Sequence, residues 1–152
     1  QQAERLWLES LQPAQPHEYP LPGLDESDPE YAEDLAVDTA VREMMSGIGV
    51  PAQWGLTFAE TMGGLIDRFE NAAPEEIRAY TTSVGEQLRA HWGEQYGKRL
   101  EAVSDLLAQA AEKHEFLGYI LDKAPHAFAD VRLMDWLAQI AERRAKVGEQ
   151  RR

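Results

Sequence analysis

Apolar residues recur at three- and four-residue steps along most of this chain. That is the period of amphipathic helices, and the strict alternation of a half-buried strand is absent. Trp54, Phe58, Met62, Leu65, Ile66 and Phe69 form one such stripe, predicting a helix from Pro51 to near Asn71. A longer stripe keeps the same phase from Ile77 to Ala110. It passes through Tyr80, Val84, Leu88, Trp92, Tyr96, Leu100, Val103 and Leu107. Taken as one helix from Pro74 to Lys113 it would be 40 residues, about 60 Å long. That exceeds the diameter of a small domain, so the helix is expected either to project or to break near Gly93 and Gly97. Unbroken phase through both glycines favours one extended or bent helix over two well-separated ones.

Local signals place the other elements. Pro13, Pro16, Pro20 and Pro22 fall within ten residues, and each fixes φ and lacks an amide donor. They predict an extended linker from Pro13 to Asp28, with Tyr19 and Leu21 available to pack on this chain or on a partner. Gln2–Leu11 reads as a short helix anchored by Leu6, Trp7, Leu8 and Leu11. Asp28-Pro29-Glu30 reads as a helix start, with Asp28 as N-cap and Gly47 as the terminating residue. Leu35, Val37, Val41, Met44 and Met45 supply that helix's apolar face. The Gly63-Gly64 pair inside the next helix is expected to mark a kink or a close crossing. His114–Lys123 reads as a short helix, and about Ala127–Lys146 as the last one, with Phe128, Val131, Met134, Leu137 or Trp136, Ile140 and Ala141 apolar.

The expected fold is therefore all-α. It is an extended or bent helical bundle with one long central helix, a proline-rich lead and a small C-terminal helical segment. The expected organisation is 1–28, 29–113 and 114–152. A thin helical chain cannot bury every stripe internally, so partner helices are expected as well.

Charge sharpens this picture. The 152 residues carry 27 acidic and 15 basic side chains, a net of −12, and no cysteine. The balance opposes general nucleic-acid binding, which needs clustered Lys and Arg. The missing cysteines exclude disulfides, thiolate zinc sites and a Cys nucleophile. No run of about 18 apolar residues is long enough to cross a membrane. The numbering opens on Gln1 rather than Met, as expected of part of a longer translation product.

The mean hides a polarity. Residues 1–76 hold sixteen acids and three bases, a net of −13, and residues 77–152 a net of +1. The last fourteen residues carry Arg143, Arg144, Lys146, Arg151 and Arg152 against Glu142 and Glu149. Basic residues there either complement the C-terminal end of the helix dipole or form a docking end for an acidic partner.

Catalytic constellations are missing from the pattern. His17, His91, His114 and His126 show no metal-ligand spacing, although His91 and Glu94 stand at i, i+3. No nucleophile elbow, phosphate loop or dinucleotide fingerprint occurs. Paired carboxylates such as Asp25-Glu26, Glu33-Asp34 and Glu75-Glu76 sit in polar runs, without the burial that shifts a pKa. A non-enzymatic role without metal or cofactor is the expectation.

Four segments then carry a resemblance. Glu18-Tyr19-Pro20-Leu21-Pro22 leads into an acidic helix ending in Gly47-Ile48-Gly49-Val50-Pro51. Leu88-Arg89-Ala90-His91-Trp92-Gly93-Glu94-Gln95-Tyr96 follows on the long stripe. The closing helix ends in Leu137-Ala138-Gln139-Ile140-Ala141-Glu142-Arg143-Arg144. Over about residues 18–144 this order resembles the head-assembly, scaffolding-type proteins of tailed bacteriophages. The Trp92-Gly93 block is its specific part. The chain departs from that pattern in being shorter than many such proteins and in lacking their long disordered N-terminal region.

The resemblance implies a protein that binds the inner face of the major capsid (coat) protein, templates curvature and leaves before or during genome packaging. It implies a location in the host cytoplasm and procapsid interior. It makes Arg132, Arg143, Arg144 and Lys146 the expected coat contacts, with Trp136 as apolar anchor. Leu88, Trp92, Tyr96, Leu100, Val103 and Leu107 become the expected surface of a homo-oligomer. An acidic body would also repel incoming DNA. The competing readings are an internal or minor capsid protein retained in the virion, an acidic DNA-mimic or regulator, and an enzyme with an unrecognised pocket.

Overall fold

The computed structural model describes residues 12–150, with side chains to 148. The predicted Gln2–Leu11 helix and the terminal Arg151 and Arg152 lie outside the described residues. Six α-helices follow in order among them: α1 Tyr31–Ile48, α2 Gly55–Arg68, α3 Pro74–Trp92, α4 Tyr96–Lys113, α5 Glu115–Lys123 and α6 Val131–Gln150. Short 3₁₀ turns occupy Pro16–Glu18, Ala52–Trp54, Gly93–Gln95 and Pro125–Phe128. No strand occurs among the described residues, so the all-α class holds.

The single long helix of the sequence reading is instead two helices. Gly93 stands at φ 57°, ψ −127°, a conformation that costs an L-residue dearly and glycine little. The chain reverses there, and α3 faces α4 through Thr81, Val84 and Leu88 on one side and Leu100, Val103 and Leu107 on the other. Each half keeps its stripe because both halves face one core, so a continuous phase is compatible with a turn. The central helix is thus the 18-residue α4, which packs on α1, α3, α5 and α6.

Two other boundaries move for local reasons. The Asp28 carboxylate accepts the Glu30 amide at 2.8 Å in a turn that precedes α1, and Glu30 rather than Asp28 is the N-cap. At the other end Gly49, not Gly47, takes the left-handed conformation, at φ 102°. The amides of Gly49 and Val50 both donate to the Met45 carbonyl, at 3.0 and 2.9 Å, closing the helix in a Schellman-type cap. Gly47 has a different reason to be small: a Cβ there would run into the His114 ring.

The core is continuous from Ala14 to Ile140. Met44, Met45 and Ile48 of α1, Phe58 of α2, Leu117 of α5, and Leu133, Leu137 and Ile140 of α6 are its most enclosed large side chains. The proline-rich lead belongs to this body. Tyr19 is buried, its hydroxyl donates to the Val50 carbonyl at 2.7 Å, and its ring fills the space a Cβ on Gly55 would need. Arg42 donates to the Tyr19 carbonyl at 2.8 Å and Ser46 to the Ala14 carbonyl at 2.8 Å. Tyr19 and Leu21 therefore pack on their own chain. By contrast nothing stands within 4 Å of where a Cβ on Gly63 or Gly64 would be, and α2 runs through both without a break. The expected kink or crossing is at neither. Leu35 and Val37 also leave their predicted core positions, at 43% and 56% exposure.

Candidate functional site

Helix α6 carries the expected coat contacts. Asp130 starts it by accepting the Leu133 amide at 3.0 Å, and Leu133, Leu137, Ala138 and Ile140 form its buried face. Arg132, Trp136, Arg143 and Lys146 follow one another at steps of 4, 7 and 3, which puts them on one stripe of the helix beside that face. Arg132 and Lys146 are exposed, and Arg143 is half-buried. Trp136 is not a free anchor: its ring stacks on Trp54 with centroids 4.8 Å apart and planes 9° apart.

Arg144 points to a different side. Its Nη2 donates to the Gly47 carbonyl at 2.8 Å, near the C-terminal end of α1. Partial burial there, with the neighbouring charge of Arg143, lowers its pKa. Arg144 thus complements a helix C-terminus, that of α1 rather than of its own helix. Arg144, Lys113 and His114 border one cleft with Gly47, Gln109 and Glu112, so the ends of α1 and α4 meet Arg144 of α6 there.

The expected self-association residues lie in the chain's own fold. Leu88, Trp92, Val103 and Leu107 are 2–7% exposed, and Tyr96 and Leu100 are half-buried against the same core. The Trp92-Gly93-x-x-Tyr96 block makes the α3–α4 turn. Trp92 donates from Nε1 to Asp135 of α6 at 3.0 Å, and Arg89 lies over the Tyr96 ring at 4.9 Å. Asp135 gathers more than that one donor. Gln139 donates to it at 3.2 Å, and His91 Nε2 and Arg99 Nη1 stand 3.5 and 4.0 Å away. His91 therefore finds Asp135 rather than Glu94. Arg99 also reaches Glu142 at 3.4 Å. Neither Asp135 nor Arg99 is marked in the sequence, because pairing across 36 residues leaves no local signature.

A second surface is lined by other residues. A groove of about 720 Å³ opens between α1, α2 and α5. Val37, Val41, Met62, Ile66, Phe116 and Ile120 are among its walls, and Phe69 and His126 lie deeper, edge to face at 5.5 Å. Val37 and Tyr119, at 56% and 66% exposure, present apolar surface at its mouth. A signal for it was present in the sequence. Phe116, Leu117, Tyr119, Ile120 and Leu121 make α5 apolar on more sides than one core contact uses.

Among the described residues no group of three His, Asp or Glu converges to hold a metal, and no helix is long and apolar enough to cross a membrane. The fold and these two surfaces define an all-α protein with a stripe of cations on α6 and an apolar groove. No family model matches the chain, and comparison with curated proteins and with solved structures gives no significant match.

Proposed function

We propose that this chain is a non-enzymatic capsid-assembly protein of the scaffolding type, which docks an acidic patch of a coat protein through the outer stripe of α6. The observation that carries this reading is the placement of Arg132, Arg143 and Lys146 along one side of a helix whose other side is core. A helix held this way presents its cations in a fixed row at little entropic cost. Contacts between exposed charges are screened by salt, which suits a partner that must later be released. Arg144 lies off this row, on the side of the helix that meets the end of α1, where it donates to the Gly47 carbonyl. The acidic first half points the same way, since a body of net −13 disfavours DNA inside a filling shell.

Co-expression with the coat protein of the same phage tests this. Regular shells should form with this chain and not without it. Arg132→Glu with Lys146→Glu should abolish incorporation while the helical circular-dichroism signal and melting temperature are kept. Shells that form equally well without the chain, or with the double variant, overturn the reading. Counting copies in procapsids and in filled heads separates a released scaffold from a retained internal protein.

A further inference from the structure

The groove between α1, α2 and α5 is remote in charge and chemistry from the basic stripe of α6, and the assembly reading does not use it. We propose that it binds a basic amphipathic helix of a partner protein.

The walls define what part of a partner fits. They come from α1, α2 and α5, with Ile77 of α3 and the turns around residues 69–72 and 124–126, and no strand is among them, so an extended peptide would find no ladder of backbone partners. The wall side chains Val37, Val41, Met62, Ile66, Phe116 and Ile120 offer apolar contact and no hydrogen-bonding groups. An occupant must therefore satisfy its own backbone and present apolar side chains, as a helix does with residues at i, i+3 or i+4, and i+7. Val37 and Tyr119 remain open to solvent at the mouth, at 56% and 66% exposure, where a bound helix would cover them.

The rim defines the partner's charge. Asp67 and Glu70 border the groove on the α2 side. Glu33 and Asp34 precede Val37 by one turn of α1, and Glu115 precedes Tyr119 by one turn of α5. All five are exposed. Lys123 is the one Lys or Arg in the lining, and its Nζ lies 3.6 Å from Asp122. An apolar floor within an acidic rim complements a helix whose leucine-like stripe is flanked by lysines or arginines, and it rejects an acidic helix.

A fluorescein-labelled peptide of about 14 residues, four helical turns, provides the probe. Leu occupies the i, i+3, i+4, i+7 stripe and Lys most other positions. Fluorescence anisotropy with the full chain should show saturable binding that weakens with salt. A peptide of the same composition with the stripe scrambled, and one with Glu in place of Lys, should bind at least about tenfold more weakly. On the protein, Val37→Ser with Tyr119→Ser should weaken binding about tenfold and leave its salt dependence. Asp67→Lys with Glu70→Lys should weaken it and flatten that dependence. All four substitutions are at exposed helix or helix-end positions, so circular dichroism should be unchanged. Equal binding of the scrambled peptide, no loss in either double variant, or no binding at all overturns the proposal. Saturation by decanoate without peptide binding also overturns it, and assigns the groove to a small apolar ligand.

Discussion

The Trp92 indole donates to the Asp135 carboxylate at 3.0 Å, joining the end of α3 to the first half of α6 across 43 residues. Trp92 is 5% exposed, so this bond sits at the edge of the core and locks the turn that the Gly93 backbone makes possible. Replacing Trp92 by Phe keeps most of the buried ring and deletes the donor. A hydrogen bond to a charged acceptor contributes about 1.5–3 kcal/mol. Trp92→Phe should therefore destabilise by about that much, and Asp135→Asn by less, because the amide oxygen still accepts. A double-mutant cycle in urea should return a coupling above about 0.5 kcal/mol. Additive effects would show that the bond does not couple α3 to α6.

Two glycines near that turn separate backbone from packing effects. Nothing stands within 4 Å of a Cβ on either Gly93 or Gly97. Only Gly93 has positive φ. Gly93→Ala should cost about 1–3 kcal/mol through strain alone. Gly97→Ala, inside α4, should be neutral or stabilising by up to about 1 kcal/mol. Thermal melts of the two variants should move apart. A Gly93→Ala protein as stable as its parent would show that the turn at this residue is not required.

Arg144 and two other cations of its helix, Arg132 and Lys146, should respond differently. Arg144→Met keeps much of the stem and removes the bond to Gly47, so the end of α1 loses a partner, at about 0.5–1.5 kcal/mol. Arg132→Ala and Lys146→Ala should stay within about 0.5 kcal/mol of the parent, as exposed positions usually do. Chemical denaturation of the three variants distinguishes the cation bonded to Gly47 from the other two.

Alkaline pH should loosen the strapped lead. Burial, with the nearby charge of Glu18, pushes the Tyr19 phenol well above its ordinary range. Tyr80 is also raised, by burial and by Asp130, with Arg68 opposing. A raised folded pKa means that the unfolded phenol, near about 10, loses its proton first. Stability from these groups is complete below that pH and falls as pH rises above it. The urea midpoint should therefore hold up to about pH 10 and drop progressively as pH rises further. Tyr19→Phe should lower stability at neutral pH, because the bond to Val50 is lost, and should make the alkaline drop shallower.

The helices themselves were legible in the sequence because their causes are local. The three- and four-residue period, Pro74 at the first position of α3 and the absence of alternation act within a few turns of chain. Most of the core was legible for the same reason: Phe58, Met62, Leu65, Leu137 and Ile140 are where their stripes put them. Part of the candidate site was legible too. The cations at 132, 143 and 146 share a helical stripe by spacing alone. Their neighbour at 144 was read with them, although its partner stands 97 residues away.

What the sequence by itself determined is the set of amphipathic helices, the acidic and basic ends, and the poverty of recognisable catalytic motifs. Tertiary structure alone decided where the long stripe turns, which glycine closes α1 and which apolar side chains stay uncovered. Gly93 and Gly97 look alike in a periodic sequence, and only packing of α3 and α4 on one core gives Gly93 its positive φ. Gly47 and Gly49 look equally fit to end a helix, until the His114 ring claims the space beside the first. Val37 continues the same apolar face as the fully buried Met44 and lies at 56% exposure, because burial along α1 sets in only at its later turns. Periodicity specifies which side of a helix is apolar. How far along that side a neighbour reaches depends on contacts between residues distant in sequence, and those decided where the groove lies open.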